Sequence, residues 1–224
     1  MILAFITFLS SDVAPFHQSL DSFRLHDTAN DDVFERCGHT LISSGKSFYI
    51  VGGYSKLKQR DCVIAKIDFD TSWTVAKKTI FPSEQSMFCA SAATAKSAYI
   101  FGGRASPKQP SAKLFKIDLS SGDVVDLDNV SGQKPSARWK HSLTAVSESE
   151  LVLIGGRDSS RVFADIYLIN VDSNKWKFLH RLGHGLHSHS AVVYDGKLVI
   201  IGGLDGRGDV IKKFYFYDWT KKKR

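Results

Sequence analysis

Short runs of apolar residues, some unbroken and some alternating with polar ones, recur along this chain. Four unbroken runs end on two glycines: "FYIVGG" at Gly52-Gly53, "AYIFGG" at Gly102-Gly103, "LVLIGG" at Gly155-Gly156 and "LVIIGG" at Gly202-Gly203. Four further runs close on an acid or an amide: "VIAKID" at Asp68, "LFKID" at Asp118, "IYLIN" at Asn170 and "FYFYD" at Asp218. They are rich in Val, Ile, Tyr and Phe and bounded by Gly, Ser and Asp, which is strand chemistry. No stretch sustains the apolar period of about 3.6 residues that a helix needs, so the pattern predicts an all-β protein.

The runs keep step with one another. The first glycines lie 50, 53 and 47 residues apart, and 13 or 14 residues before each stands His39, Cys89, His141 or His189. The closing Asp or Asn follows each first glycine by 15 or 16 residues, and Trp73 and Trp176 follow theirs by 21. One unit therefore reads as strand, turn, strand ending in Gly-Gly, polar arm, strand, turn, and strand carrying Trp. Four units fall at about 36–85, 86–134, 135–184 and 185–224. They are not uniform: Cys89 replaces a histidine, Asp123-Val124 stands where a Trp is due, and Arg36 and Arg138 precede their histidines where Ser86 and Leu186 hold the matching places.

A period near 50 with four strands and a double glycine resembles the kelch repeat and implies a β-propeller. In such a fold the glycine pairs supply positive φ and let neighbouring backbone pack where a Cβ would clash. Trp from the outer strand then covers the sheet face between units. A six-bladed ring of this repeat needs roughly 300 residues, so an incomplete ring is expected, from a fragment or partial product of a longer propeller. Residues 1–35 are expected to be the remnant of a preceding blade or an extension: "FITFLSSD" reads as a second strand with Ser10-Ser11 in place of Gly-Gly, and "SFRLHD" as an outer strand.

Composition adds little to this picture. Apolar residues at 43% and charged ones at 24% are ordinary globular values, and a net charge of +7 favours anionic partners. Three cysteines without a CxxC fit a reducing compartment, so a cytoplasmic location is expected. The alternative is secretion, with "MILAFITFL" as a signal, although no basic residues precede it and the run is too short to span a bilayer. "NVS" at Asn129 is a formal glycosylation sequon.

Candidate chemistry is sparse. "HGLHSHS" brings His184, His187 and His189 together, and imidazole suits zinc or copper, but no nearby Cys, Asp or Glu completes a ligand set. No GxxxxGK[ST], no GxGxxG opening a helix and no G-x-S-x-G occurs, so neither a catalytic residue nor a cofactor site is expected in these residues. The arms after the glycine pairs carry Lys56, Lys58, Arg60, Arg104, Lys108, Arg157, Arg161 and Arg207, partly offset by Asp61, Asp158, Asp205 and Asp209. In a propeller these arms share one rim, where a set of cations meets phosphate or acidic peptide.

Two function readings follow. The first is a non-catalytic module that binds a protein partner through its rim, as kelch adaptors do; no BTB segment is present in these residues. The second comes from a narrower resemblance. "FGGRASPKQPSAKLFKID", "ARWKHSLTAV" and "LVLIGGR" look like the kelch part of the tRNA wybutosine-synthesizing protein 4 family. That family joins a methyltransferase domain using S-adenosylmethionine to a kelch propeller and acts on phenylalanine tRNA. The resemblance implies tRNA as a partner. Any methyl transfer, and its cofactor, belong to a domain these residues do not contain.

Overall fold

The computed structural model describes residues 36–45, 47–54, 62–68, 74–81, 87–127 and 129–218, and every regular element among them is a β-strand. Residues 1–35, the arm residues Lys56, Lys58, Arg60 and Asp61, Trp73, Ser86 and Trp219 lie outside the described residues.

The strands form successive antiparallel sheets, one to a sequence repeat. The first blade holds β1 (Cys37–Ser44), β2 (Ser47–Tyr54), β3 (Cys62–Asp68) and β4 (Thr74–Phe81), paired in that order. In the second, β5 (Ala90–Ala93), β6 (Ser97–Phe101), β9 (Leu114–Asp118) and β10 (Val124–Asp126) make the sheet, while β7 (Arg104–Ser106) and β8 (Gln109–Pro110) form a hairpin in the arm. The third blade comprises β12 (Ser142–Ala145), β13 (Glu150–Ile154), β14 (Asp165–Asn170) and β15 (Lys175–Arg181). A fifth strand joins it: β11 (Ser131–Gly132), from the stretch that spacing allots to the second unit, pairs in parallel with β15. The fourth blade holds β16 (Ser190–Tyr194), β17 (Lys197–Ile201) and β18 (Phe214–Asp218).

Each sheet is packed against its neighbours, which is why the second strands read as unbroken apolar runs. Tyr49, Val51 and Ile64 of the first blade meet Ala98, Ile100 and Ile117 of the second. Tyr99, Phe101 and Leu114 then meet Leu151, Leu153 and Trp176 of the third, whose other face, with Val152, Ile154, Ile166 and Leu168, receives Leu198 and Ile200. Trp176 is fully buried and packs edge-on to Phe101 at 5.3 Å, the interblade cover expected of it. Burying a side chain of this size contributes about 1.5–3 kcal/mol.

Backbone bonds also step from blade to blade. Phe88 N–H donates to Gly38 O (2.8 Å), Lys140 N–H to Phe88 O (3.1 Å) and Ser188 N–H to Lys140 O (2.9 Å). These four residues each stand one before the histidine position and share the left-handed conformation, with φ of +70°, +56°, +56° and +55°. The glycine pairs seal the same seam. Gly102 and Gly103 have φ of +68° and +96°, and Gly103 N–H donates to Arg138 O of the next blade (2.8 Å). A Cβ on Gly102 would stand 2.6 Å from that same carbonyl, and one on Gly103 3.0 Å from the Cβ of Cys89. Gly156 crowds His141 Cβ in the same way, so the fixed spacing from histidine to Gly-Gly records one packing contact repeated in each blade.

Candidate anion-binding rim

The arms leave the glycine pairs at the end of the blades where this seam lies. The first residue of each described arm bridges to the residue two before the histidine position: Arg104 to Met87, Arg157 to Trp139, and Leu204 to His187. That register turns two of the expected rim cations, Arg104 and Arg157, toward one another. The Arg104 guanidinium lies 4.7 Å from the Trp139 ring centre and 5.3 Å from that of Phe88. Arg157 approaches Trp139 at 5.9 Å, and Lys140 Nζ approaches Phe88 at 5.2 Å.

Lys140 is the member that sequence reasoning missed. It is delivered by the left-handed backbone just before His141, a position occupied in the other blades by Gly, Phe and Ser, so no motif marks it.

The cations strain each other electrostatically. Burial lowers the pKa of Arg104, with Arg157 adding to the effect; burial lowers Lys140 likewise, with Arg104 and Arg157 adding. His187 at the same rim is lowered by burial, then by Lys140 and Arg157, with Asp205 opposing. Partly dehydrated positive groups that repel one another are relieved by an anion between them, through charge-assisted hydrogen bonds.

The other expected rim cations sit at the arm tips. Lys108 is exposed in the turn between β7 and β8. Arg161 lies over Phe163 at 4.8 Å and pairs with Asp158 at 3.6 Å. Arg207 is exposed in a turn whose Asp205 carboxylate accepts from the N–H groups of Arg207 and Asp209.

The histidines are taken up by packing. His141 Nε2–H donates to Phe101 O (3.1 Å), His189 Nε2 is hydrogen-bonded to Ser142 Oγ (2.8 Å), His187 Nδ1 to Ser188 Oγ (3.0 Å) and His184 Nε2 to Tyr215 OH (3.1 Å). The metal candidates His184, His187 and His189 thus face separate partners, and among the described residues no group of three His, Cys, Asp or Glu is placed to hold an ion. No strand-to-helix turn that would seat a nucleotide pyrophosphate occurs among them either.

Arg138 is a different kind of cation. Fully buried, it donates to Gly155 O (2.9 Å), Ser136 O (2.9 Å) and the Asp165 carboxylate, and it stacks on Phe163 at 3.9 Å. Arg36 makes the matching bond to Gly52 O (2.6 Å). These arginines tie down the carbonyl of the first glycine, which explains their spacing from the histidine.

Comparison with known proteins places this geometry among relatives. The family model described as the KLHDC2/KLHL20/DRC7 Kelch-repeats domain matches residues 38–223. tRNA wybutosine-synthesizing protein 4 of Candida albicans is 40% identical over 90 residues, 39% of this chain and 13% of that protein. The protein of the same name in Saccharomyces cerevisiae is 32% identical over 88 residues, 37% of this chain and 13% of its own length. Adagio-like protein 3 of Oryza sativa subsp. japonica is 31% identical over 94 residues, 40% of this chain and 15% of that protein.

Proposed function

The chain belongs to the kelch-repeat family, and on that footing we propose that it is the kelch module of a tRNA-modifying protein of the wybutosine-synthesizing protein 4 kind, acting in the cytoplasm. The convergence of Arg104, Lys140 and Arg157 at one rim carries this reading, because it offers a phosphate-bearing partner three cations that nearby aromatic rings hold in place. The names of the fungal relatives supply the nature of that anion. The module's part is to hold tRNA. Methyl transfer and S-adenosylmethionine belong to a separate domain.

Fluorescence anisotropy with phenylalanine tRNA tests the reading. Arg104→Gln, Lys140→Gln and Arg157→Gln together are expected to weaken binding and to flatten its dependence on salt by about 2–3 units of log–log slope, if each contacts one phosphate. Circular dichroism should stay unchanged, since Gln keeps most of each stem. The similarity to Adagio-like proteins favours a second reading, a rim that binds a protein. Negligible tRNA affinity at physiological salt, with loss of a protein partner in the triple variant, would select it. Unaltered tRNA binding and slope would remove this rim from RNA recognition.

A further inference from the structure

The four blades repeat the same two faces, and three of the faces turned toward the following blade are closed. The residue just before each glycine pair shows the difference: Val51, Phe101 and Ile154 are each 0% exposed, whereas Ile201 is 56% exposed. On the third strand Leu168 of the third blade is 7% exposed, and Phe216, its counterpart in the fourth, 65%. Strand register assembles the exposed residues into two rows, Val192–Val199–Phe216 and Ser190–Ile201–Phe214, across β16, β17 and β18. The polar part of the seam is open as well. Gly103 and Gly156 N–H donate to Arg138 O and Leu186 O of the following blades, and Phe88 O and Lys140 O accept the next step of the backbone ladder. Their fourth-blade counterparts, Gly203 N–H and Ser188 O, have no such bond among the described residues. A Cβ on Gly202 meets nothing within 4 Å, where one on Gly102 meets the next blade's carbonyl.

We propose that this face of the fourth blade is the seat of a further blade of the same repeat. Its occupant is defined by the seams already closed in this chain. It presents a carbonyl three residues before its histidine position to Gly203 N–H, an N–H one residue before that position to Ser188 O, and a sheet face of aliphatic residues to Val192, Ile201, Phe214 and Phe216. The donor and acceptor match those at the closed seams, so the interface continues an established one rather than making a new kind. A second copy stacked head to tail lacks the required surface: the corresponding face of the first blade, with Ile50, Ala65 and Ile67, is already buried.

The test uses the chain's own repeat. Asn170 and Asp218 hold equivalent positions, so a second copy of residues 171–218 joined after Asp218 restarts the pattern in phase; polar residues replace its counterparts of Val192, Ile201, Phe214 and Phe216. Phe216→Cys, placed in both the original and the extended chain, reports on the face. In the extended chain, labelling of that thiol by a maleimide is expected to slow by about tenfold or more, with a monomer in sedimentation. Equal labelling rates in two folded chains would overturn the proposal. A second measurement stands if the extension fails to fold. The original chain is expected to be monomeric, to bind an apolar dye, and to keep its thermal midpoint while losing the dye on Phe214→Lys and Phe216→Lys. A saturable dimer in which the introduced thiol is protected would assign the face to a second copy instead, and a lowered midpoint would show that it already packs within the chain.

Discussion

His141 and His189 lie wholly inside the interblade seam, and burial holds both imidazoles neutral, with pKa values of about 3 against an ordinary 6.5. Desolvation is the main cause at each; Arg138 then adds its charge at His141, and His187 at His189. Geometry gives the same sign, since Nδ1 of each is buried without a partner and a proton there would have no acceptor. The unfolded chain takes up a proton on each near pH 6.5, and the folded chain does so only near pH 3. Their contribution is therefore fully present above pH 6.5 and is lost as pH falls between those values, at no more than roughly 1.4 kcal/mol per pH unit for each histidine. Urea unfolding at pH 5 is expected to show a lower midpoint than at pH 7.5. His141→Gln, which keeps a donor for Phe101 O, should reduce that difference. An equal pH dependence in the two proteins would show that His141 is not a source of it.

At the level of the strand and its terminal glycines, conformation and crowding are separable. Gly102 and Gly202 share a left-handed backbone, with φ of +68° and +69°, but only Gly102 abuts the next blade. Gly202→Ala in the unextended chain is expected to cost only the backbone term, about 1–2 kcal/mol, whereas Gly102→Ala adds a clash with Arg138 O and should cost clearly more. Equal losses in chemical denaturation would show that the pair is needed for its φ alone. The same contrast shows what the chain makes legible. Glycine pairs, histidines and Trp176 stand at fixed intervals because each makes a contact that recurs from blade to blade, so spacing alone locates them. Lys140 escapes because its place depends on a backbone conformation that Gly, Phe, Lys and Ser all adopt here. The division among the rim cations, with Arg104 and Arg157 inward and Lys108, Arg161 and Arg207 at the tips, depends on bridges such as Trp139 to Arg157 that no spacing encodes. The open face of β17 and β18 escapes for a third reason. "LVIIGG" and "FYFYD" carry the pattern of a buried blade whether or not a neighbour covers them.

Across the whole molecule, stability should be graded along the arc of blades, since each blade gains most of its burial from the sheets on either side. The third blade is closed on both faces. The fourth is closed on one, with Leu198 and Ile200 inward and Val192, Ile201, Phe214 and Phe216 exposed. Local opening of the fourth blade therefore breaks one seam, and opening of the third breaks two. β13 and β17 make a fair pair for comparison, because each is the second strand of its sheet, paired on both sides and ending on Gly-Gly. Their hydrogen bonding is alike, so a difference in amide exchange reports on face coverage. Native-state hydrogen exchange is expected to show the amides of Val199 and Ile201 opening more readily than those of Val152 and Ile154, by about 2 kcal/mol or more, roughly thirtyfold in rate. Equal protection in the two strands would mean that the blades unfold as one cooperative unit, and that the uncovered face costs the fourth blade nothing.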